Sequence, residues 1–158
     1  MTKTGFMKTL MVGIGMVAIQ IILLRHLTIL GAESDLVLLF LIWLCTKRSR
    51  IECLLFAAIL GLMQDALTDF WGVHMFSKVL TVFIVHNFLA RTSGNKFLIW
   101  QTFLIIFAIA FVHNLVMLFV TMFSDLYASD FVFLSLLFAG SIFTALVGSF
   151  LQLVRIES

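Results

Sequence analysis

Long apolar segments separated by short charged connections fill this chain of 158 residues. Hydrophobic residues make up 63% of the sequence and charged residues 11%, and there is no proline. Soluble domains average about 45–50% apolar and about 25% charged residues, so a soluble core of this size could not bury so many apolar side chains. Lipid is the expected solvent, in which backbone polar groups must bond within helices or closed barrels. The sequence therefore predicts an all-α integral membrane protein.

Six of these segments are candidates to cross a hydrocarbon core roughly 30 Å thick, which takes about 20 apolar residues. The second is short and is expected to be tilted, to be interfacial or to extend back to Gly31. The fifth is long and is expected to tilt or to start in the interface at Trp100. No connection is long enough for an aqueous domain, so residues 1–158 are predicted to form one membrane domain, a six-transmembrane-helix bundle. The predicted spans are residues 6–24, 35–46, 51–70, 73–90, 97–123 and 131–154.

Basic residues test this division, because they accumulate on the cytoplasmic side of a membrane. Eight of the ten Lys and Arg residues would lie on one side, and most carboxylates toward the other. Cytoplasmic N- and C-termini are therefore predicted. The first span imitates a secretory signal peptide, but no small-x-small cleavage site follows it, so it is expected to be retained. The eight basic residues are Lys3, Lys8, Lys47, Arg48, Arg50, Arg91, Lys96 and Arg155.

Two carboxylates, Asp65 and Asp69, stand near the end of the third segment, with Gly61 and Gly72 on either side. An ionised group inside hydrocarbon costs about 2.5–3.5 kcal/mol on insertion scales and usually faces a partner or a cavity. Asp65 is about 21 Å from the start of its span at 1.5 Å per residue, a depth similar to that of Lys78 in the next span. We expect an Asp65–Lys78 ion pair. The alternative is that Lys78 reaches the interface and Asp65 faces a wet vestibule.

Small residues spaced four apart give two of the predicted helices a face suited to close packing. Each face could meet another helix of this chain or the single span of a partner. The residues are Ala57, Gly61 and Asp65 in the third span and Gly140, Thr144 and Gly148 in the sixth.

The sequence has no zinc-protease, serine-hydrolase, P-loop or dinucleotide-binding motif. Cys45 and Cys53 fall on the predicted cytoplasmic side and are expected to be core residues, without a disulfide or a zinc ion. His86 and His113 are expected to form hydrogen bonds between helices. No basic run with interleaved aromatic residues suggests nucleic-acid binding. We expect no enzyme activity, cofactor or metal; an intramembrane hydrolase or an ion path remains a less favoured alternative.

Gly61, Asp65, Gly72, Val73 and His74 lie between the end of the third span and the start of the fourth, and Asp35 opens the second span. In these residues the chain resembles the rod shape-determining protein MreD family. The chain departs from the family pattern in two places. Ser34 replaces the proline usual before Asp35, and the interval from Asp65 to Gly72 is slightly shorter.

The resemblance implies a non-enzymatic subunit of the bacterial cell-elongation complex in the inner membrane, supporting lateral peptidoglycan synthesis and rod shape. Its expected partner is an MreC-like bitopic protein, with one span and a large extracytoplasmic domain. Through it the chain would connect indirectly to a glycosyltransferase–transpeptidase pair and to actin-like filaments. The structural or partner-binding candidates are Asp35, Gly61, Asp65, Asp69, Gly72, His74 and Lys78.

A related membrane fold offers an alternative function. The substrate-capture subunits of energy-coupling factor transporters share a similar Gly–Asp hairpin, and the resemblance implies a bundle similar to theirs. A vitamin-capturing subunit would need a polar pocket that opens outward. The residues that could line it are Asp69, Trp71, His74, Asp125 and Asp130.

Overall fold

The computed structural model describes residues 3–22, 33–92, 97–122 and 130–157, which contain six α-helices and no β-strand. The helix bounds agree with the six predicted segments to within a few residues. The ends of the first and fifth segments, residues 23–24 and 123, lie outside the described residues. The helices are α1 (Lys3–Ile22), α2 (Leu36–Cys45), α3 (Arg50–Thr68), α4 (Val73–Thr92), α5 (Ile99–Thr121) and α6 (Asp130–Glu157).

Four described helices are long and apolar enough to cross a membrane, namely Gly5–Ile22, Arg50–Thr68, Val73–Thr92 and Ile99–Thr121. α6 is longer still, and its described apolar stretch is Leu137–Leu153. Large apolar side chains are exposed along the outside of these helices. Long apolar helices with apolar outer surfaces are typical of a membrane protein, as the composition predicts.

α2 occupies the centre of the bundle, although it is the shortest helix. It contacts α1, α3, α4 and α6, and seven of its ten residues are buried, as expected for a helix that is apolar on every side. Ten residues span about 15 Å, half of a hydrocarbon core, so α2 does not cross a membrane by itself. Residues 33–35 before it are not helical, so the helix does not extend back to Gly31.

Both small-residue faces pack against other helices of this chain. A Cβ atom added to Gly61 would lie 2.5 Å from Met75 Cα, so the backbones of α3 and α4 nearly touch there. A Cβ atom on Gly148 of α6 would lie 2.6 Å from Ile106 Cδ1 and 2.7 Å from Leu39 Cδ2. Of the two alternatives left by the sequence, the structure therefore shows packing against helices of this chain.

The α2–α3 connection packs against the last turns of α4. His86 Nε2 of α4 lies 3.1 Å from the carbonyl oxygen of Arg48. Arg50 donates to the carbonyl oxygen of Phe83 at 3.0 Å, and its guanidinium lies 4.1 Å from the centre of that ring. Arg91 follows in the last turn of α4. Arg48 in the α2–α3 connection, Arg50 at the start of α3 and Arg91 at the end of α4 therefore share one end of the bundle, which we term the basic end.

Replacement of Gly61 by Ala should lower the free energy of unfolding by about 1–3 kcal/mol, because the added methyl group meets backbone that cannot move aside. Gly15→Ala in α1 is the matched control, since its added methyl would have no atom within 4 Å. Alanine is favoured over glycine in a helix by about 1 kcal/mol, so this control should be unchanged or more stable. Unfolding in mixed detergent micelles measures the free energy of unfolding of both variants. Equal stability of the two variants would contradict the close α3–α4 contact.

Candidate functional site

Asp35 caps the N-terminus of α2 inside the bundle. Its Oδ1 accepts the backbone N–H of Leu38 at 2.8 Å, and its own backbone is extended, with φ −94° and ψ 91°. The first N–H groups of a helix have no partner within the helix, and Asp is among the preferred caps. Its carboxylate also lies at the positive end of the helix dipole, where negative charge is stabilised.

Side chains from α1 and α6 supply further bonds at this helix end. Gln20 Oε1 accepts the N–H of Val37 at 3.0 Å, and Thr144 Oγ1 accepts the N–H of Asp35 at 3.1 Å. A buried donor left without a partner would cost about 1–3 kcal/mol, so these bonds let α2 begin within the bundle. Gln20 was not singled out from the sequence, although a lone amide inside an apolar run was an available signal.

Lys78 of α4 is the charged partner of Asp35. Its Nζ lies 2.6 Å from Asp35 Oδ2, and its side chain has no exposed surface. The predicted Asp65–Lys78 pair is therefore wrong. A similar depth along two helices does not fix the direction in which a side chain points, because each residue turns a helix by about 100°. Lys78 faces the start of α2.

His113 of α5 is the third titratable group near this carboxylate. Its side chain is 1% exposed, and its Nε2 lies 3.8 Å from Asp35 Oδ2 and has no hydrogen-bond partner in the described part of the chain. Its Nδ1 lies 3.3 Å from Asn114 Oδ1, and Asn114 Nδ2 donates to Ser141 Oγ of α6 at 3.1 Å. This last bond joins α5 to α6. We term Gln20, Asp35, Lys78, His113 and Thr144 the polar centre.

The polar centre connects α1, α2, α4, α5 and α6 around one carboxylate. Its physical effect is to hold the end of a short helix in place, because removing either charge would leave the other buried and unpaired. Within the described ranges, no three His, Cys, Asp or Glu side chains form a group that could hold a metal ion. Cys45 and Cys53 are buried free thiols.

Asp65 is the second buried carboxylate and caps α4 from the end of α3. It accepts the N–H of His74 at 2.8 Å and that of Met75 at 2.9 Å, and His74 Nδ1 lies 3.0 Å from the same carboxylate. Two unpaired donors at the start of α4 are thereby satisfied by the preceding helix. Asp65 serves the hairpin, so it is not available to Lys78.

The turn between these helices depends on two residues with positive φ. Asp69 ends α3 with φ 59°, and Gly72 has φ 84°. Aspartate and glycine tolerate this left-handed region better than most residues. Phe70 then packs its ring against that of His74, with 5.4 Å between the ring centres. Gly61, Asp65, Asp69, Gly72 and His74 are thus parts of one hairpin.

The residues proposed for an outward pocket have different environments. Asp69 and Trp71 are exposed, whereas His74 is buried against Asp65. None of these three lines the groove of about 660 Å³ that runs along α2. Asp125 lies outside the described residues, as does the side chain of Asp130.

Comparison of the chain with known protein families, with curated proteins and with solved structures found no match in any of the three.

Asp35→Asn and Lys78→Met should each lower the free energy of unfolding by about 3–5 kcal/mol, because each leaves a buried charge unpaired. The double variant should lose clearly less than the sum, since the second change removes that unpaired charge. Asp65→Asn combined with Lys78→Met is the control cycle and should be additive. Additive losses in the first cycle would contradict the Asp35–Lys78 pair.

Asp65→Ala should cost about 0.5–2 kcal/mol for the lost cap of α4. Asp69→Gly is the comparison four residues away, where glycine fits the positive φ and the carboxylate is exposed. That variant should be no less stable than the parent protein. A denaturant titration of both would reject the capping role of Asp65 if the two curves coincide.

Proposed function

We propose that this chain is a non-enzymatic membrane subunit of the bacterial cell-elongation complex, of the MreD type. It binds an MreC-like bitopic protein and supports lateral peptidoglycan synthesis and rod shape. The observation that carries the proposal is that the residues of the resemblance share one structural task. Gly61, Asp65, Gly72 and His74 all serve the α3–α4 hairpin, so the resemblance rests on physically linked positions.

Asp35 supports the same proposal from a separate part of the chain. In the resemblance it opens the second span, and in this chain it caps α2 and binds Lys78. An acidic residue at that position has a physical reason, since the half-length helix α2 begins inside the bundle.

The proposed topology has six crossings in the inner membrane, with both termini in the cytoplasm. α2 by itself reaches about halfway across, so it accounts for half of the proposed second crossing. The basic end would face the cytoplasm, because it gathers Arg48, Arg50 and Arg91. The arrangement of helices is proposed to be similar to that of the substrate-capture subunits of energy-coupling factor transporters.

The partner's helix is proposed to bind an outer surface of the bundle. Gly61, Asp65 and Lys78 are buried and already engaged within the chain. Their proposed task is therefore to keep the shape of the body that the partner recognises. Contacts with the partner would come from lipid-facing apolar side chains.

A pull-down of the tagged chain from its native membrane in mild detergent tests this function. We expect mass spectrometry to identify a bitopic protein with a large extracytoplasmic domain, together with a cell-wall synthase. Recovery of ATPase subunits or of a tightly held vitamin would overturn the proposal and favour the transporter subunit.

The Asp65→Ala and Asp69→Gly variants separate a role in shape from a direct grip on the partner. If Asp65 holds the hairpin, partner recovery should fall only in proportion to the amount of folded protein. A loss of partner from fully folded Asp65→Ala protein would instead assign a direct contact to this residue.

A further inference from the structure

A groove of about 660 Å³ runs along α2 and is not used by the proposed function. α2 supplies more of its lining than any other helix, and the rest comes from α1, α4, α5 and α6 and from Thr46, Lys47 and Phe97 outside the helices. Most of the lining is apolar, including Met16, Leu39 and Ile106. Val12, Trp43 and Leu151 also line it and are about half exposed, so the groove is accessible from the side of the bundle.

The polar lining residues gather toward the basic end. Thr46 and Lys47 follow the last turn of α2, Thr92 ends α4, and Gln152 lies near the end of α6. Lys47 is exposed, and no carboxylate in the described part of the chain lies within salt-bridge distance of its ammonium group. Among the described residues, none of those that line the groove is acidic. A ligand with a negative charge at the basic end and an apolar remainder would match both the polar and the apolar lining of the groove.

The length of the groove distinguishes between apolar occupants. It follows α2 from Lys47 to Leu36, a distance of about 16 Å at 1.5 Å per residue. That is the depth of one leaflet of a core roughly 30 Å thick, and the far end adjoins Asp35 of the polar centre. The helix of a bitopic partner would have to continue for about twice this distance. A lipid acyl chain, which belongs to one leaflet, fits the observed length.

The wall of the groove also contains polar atoms with unused bonding capacity. Thr102 Oγ1 and Gln152 Oε1 are buried atoms, and within the described ranges neither has a hydrogen-bond partner. A threonine hydroxyl can donate to a phosphate or ester oxygen, and an amide oxygen can accept from a headgroup hydroxyl. Both residues line the groove, and Gln152 does so near the basic end, where the proposed lipid would change from acyl chain to headgroup.

We propose that this groove is a binding site for one anionic phospholipid, with an acyl chain along α2 and the phosphate at Lys47. Basic pockets between transmembrane helices are suited to anionic headgroups. The proposal depends on the groove alone and holds whatever protein partner the chain has.

Tryptophan quenching tests the site directly. In a Trp71→Phe, Trp100→Phe background, Trp43 is the remaining tryptophan, and it lines the groove. The full chain is placed in nanodiscs of phosphatidylcholine that contain increasing fractions of brominated phosphatidylglycerol or brominated phosphatidylcholine. The anionic lipid should reach half-maximal quenching at about a fivefold lower mole fraction, the ratio expected for one lysine near the surface.

Lys47→Gln should abolish the preference for the anionic lipid, so that both brominated lipids reach half-maximal quenching at the same mole fraction. Arg91→Gln is the matched control, because Arg91 is an exposed basic residue at the same end that does not line the groove. It should keep the preference. Equal quenching of the parent protein by both lipids would overturn the proposal by showing ordinary bulk lipid. If the two variants lose the preference for the anionic lipid equally, the effect is one of general surface charge and the proposal is overturned. If quenching is absent and a crosslinker at position 43 captures another protein, the groove is occupied by a partner helix and the proposal is also overturned.

Discussion

The Asp35 carboxylate is the contact on which the arrangement of the other helices depends. α2 is too short to cross a membrane, so one end of it must lie within the bundle. Exposed backbone donors at that depth are tolerated only when protein groups satisfy them. Asp35 caps the helix, its charge binds Lys78, and Gln20 and Thr144 hold the neighbouring N–H groups. The carboxylate thereby fixes α2 against α4, while Gln20 and Thr144 fix it against α1 and α6.

The hairpin of α3 and α4, at the end of the bundle opposite the basic end, likewise contains backbone donors that need protein acceptors. Gly61 lets the two backbones approach, and Asp65 supplies the acceptors that the first turn of α4 lacks. Both buried carboxylates therefore serve helix N-termini. This shared use explains why a very apolar chain carries acidic residues at these depths.

Sequence reasoning located the six helices and the hairpin with good accuracy. Apolar runs, charged breaks and glycines act locally, so they can be read from neighbouring residues. The pairing of Lys78 was predicted wrongly, because depth along a helix is local information whereas the direction of a side chain depends on which helices are neighbours. Gln20 was missed for the same reason: only the tertiary structure brings its amide to the start of α2. For His113, a polar contact was expected, but its proximity to Asp35 was not.

The sequence by itself determined that this chain is helical, apolar and divided into six segments, because hydrophobicity and backbone bonding in lipid leave few other solutions. It also placed a carboxylate before α2 and another near the end of α3. Only the tertiary structure decided which donors each carboxylate would bind. Asp35 and Lys78 are far apart in the sequence, and their meeting requires α2 to pack against α4 with its first turn inside the bundle. Such a contact depends on the relative position and rotation of two helices, which no local pattern specifies.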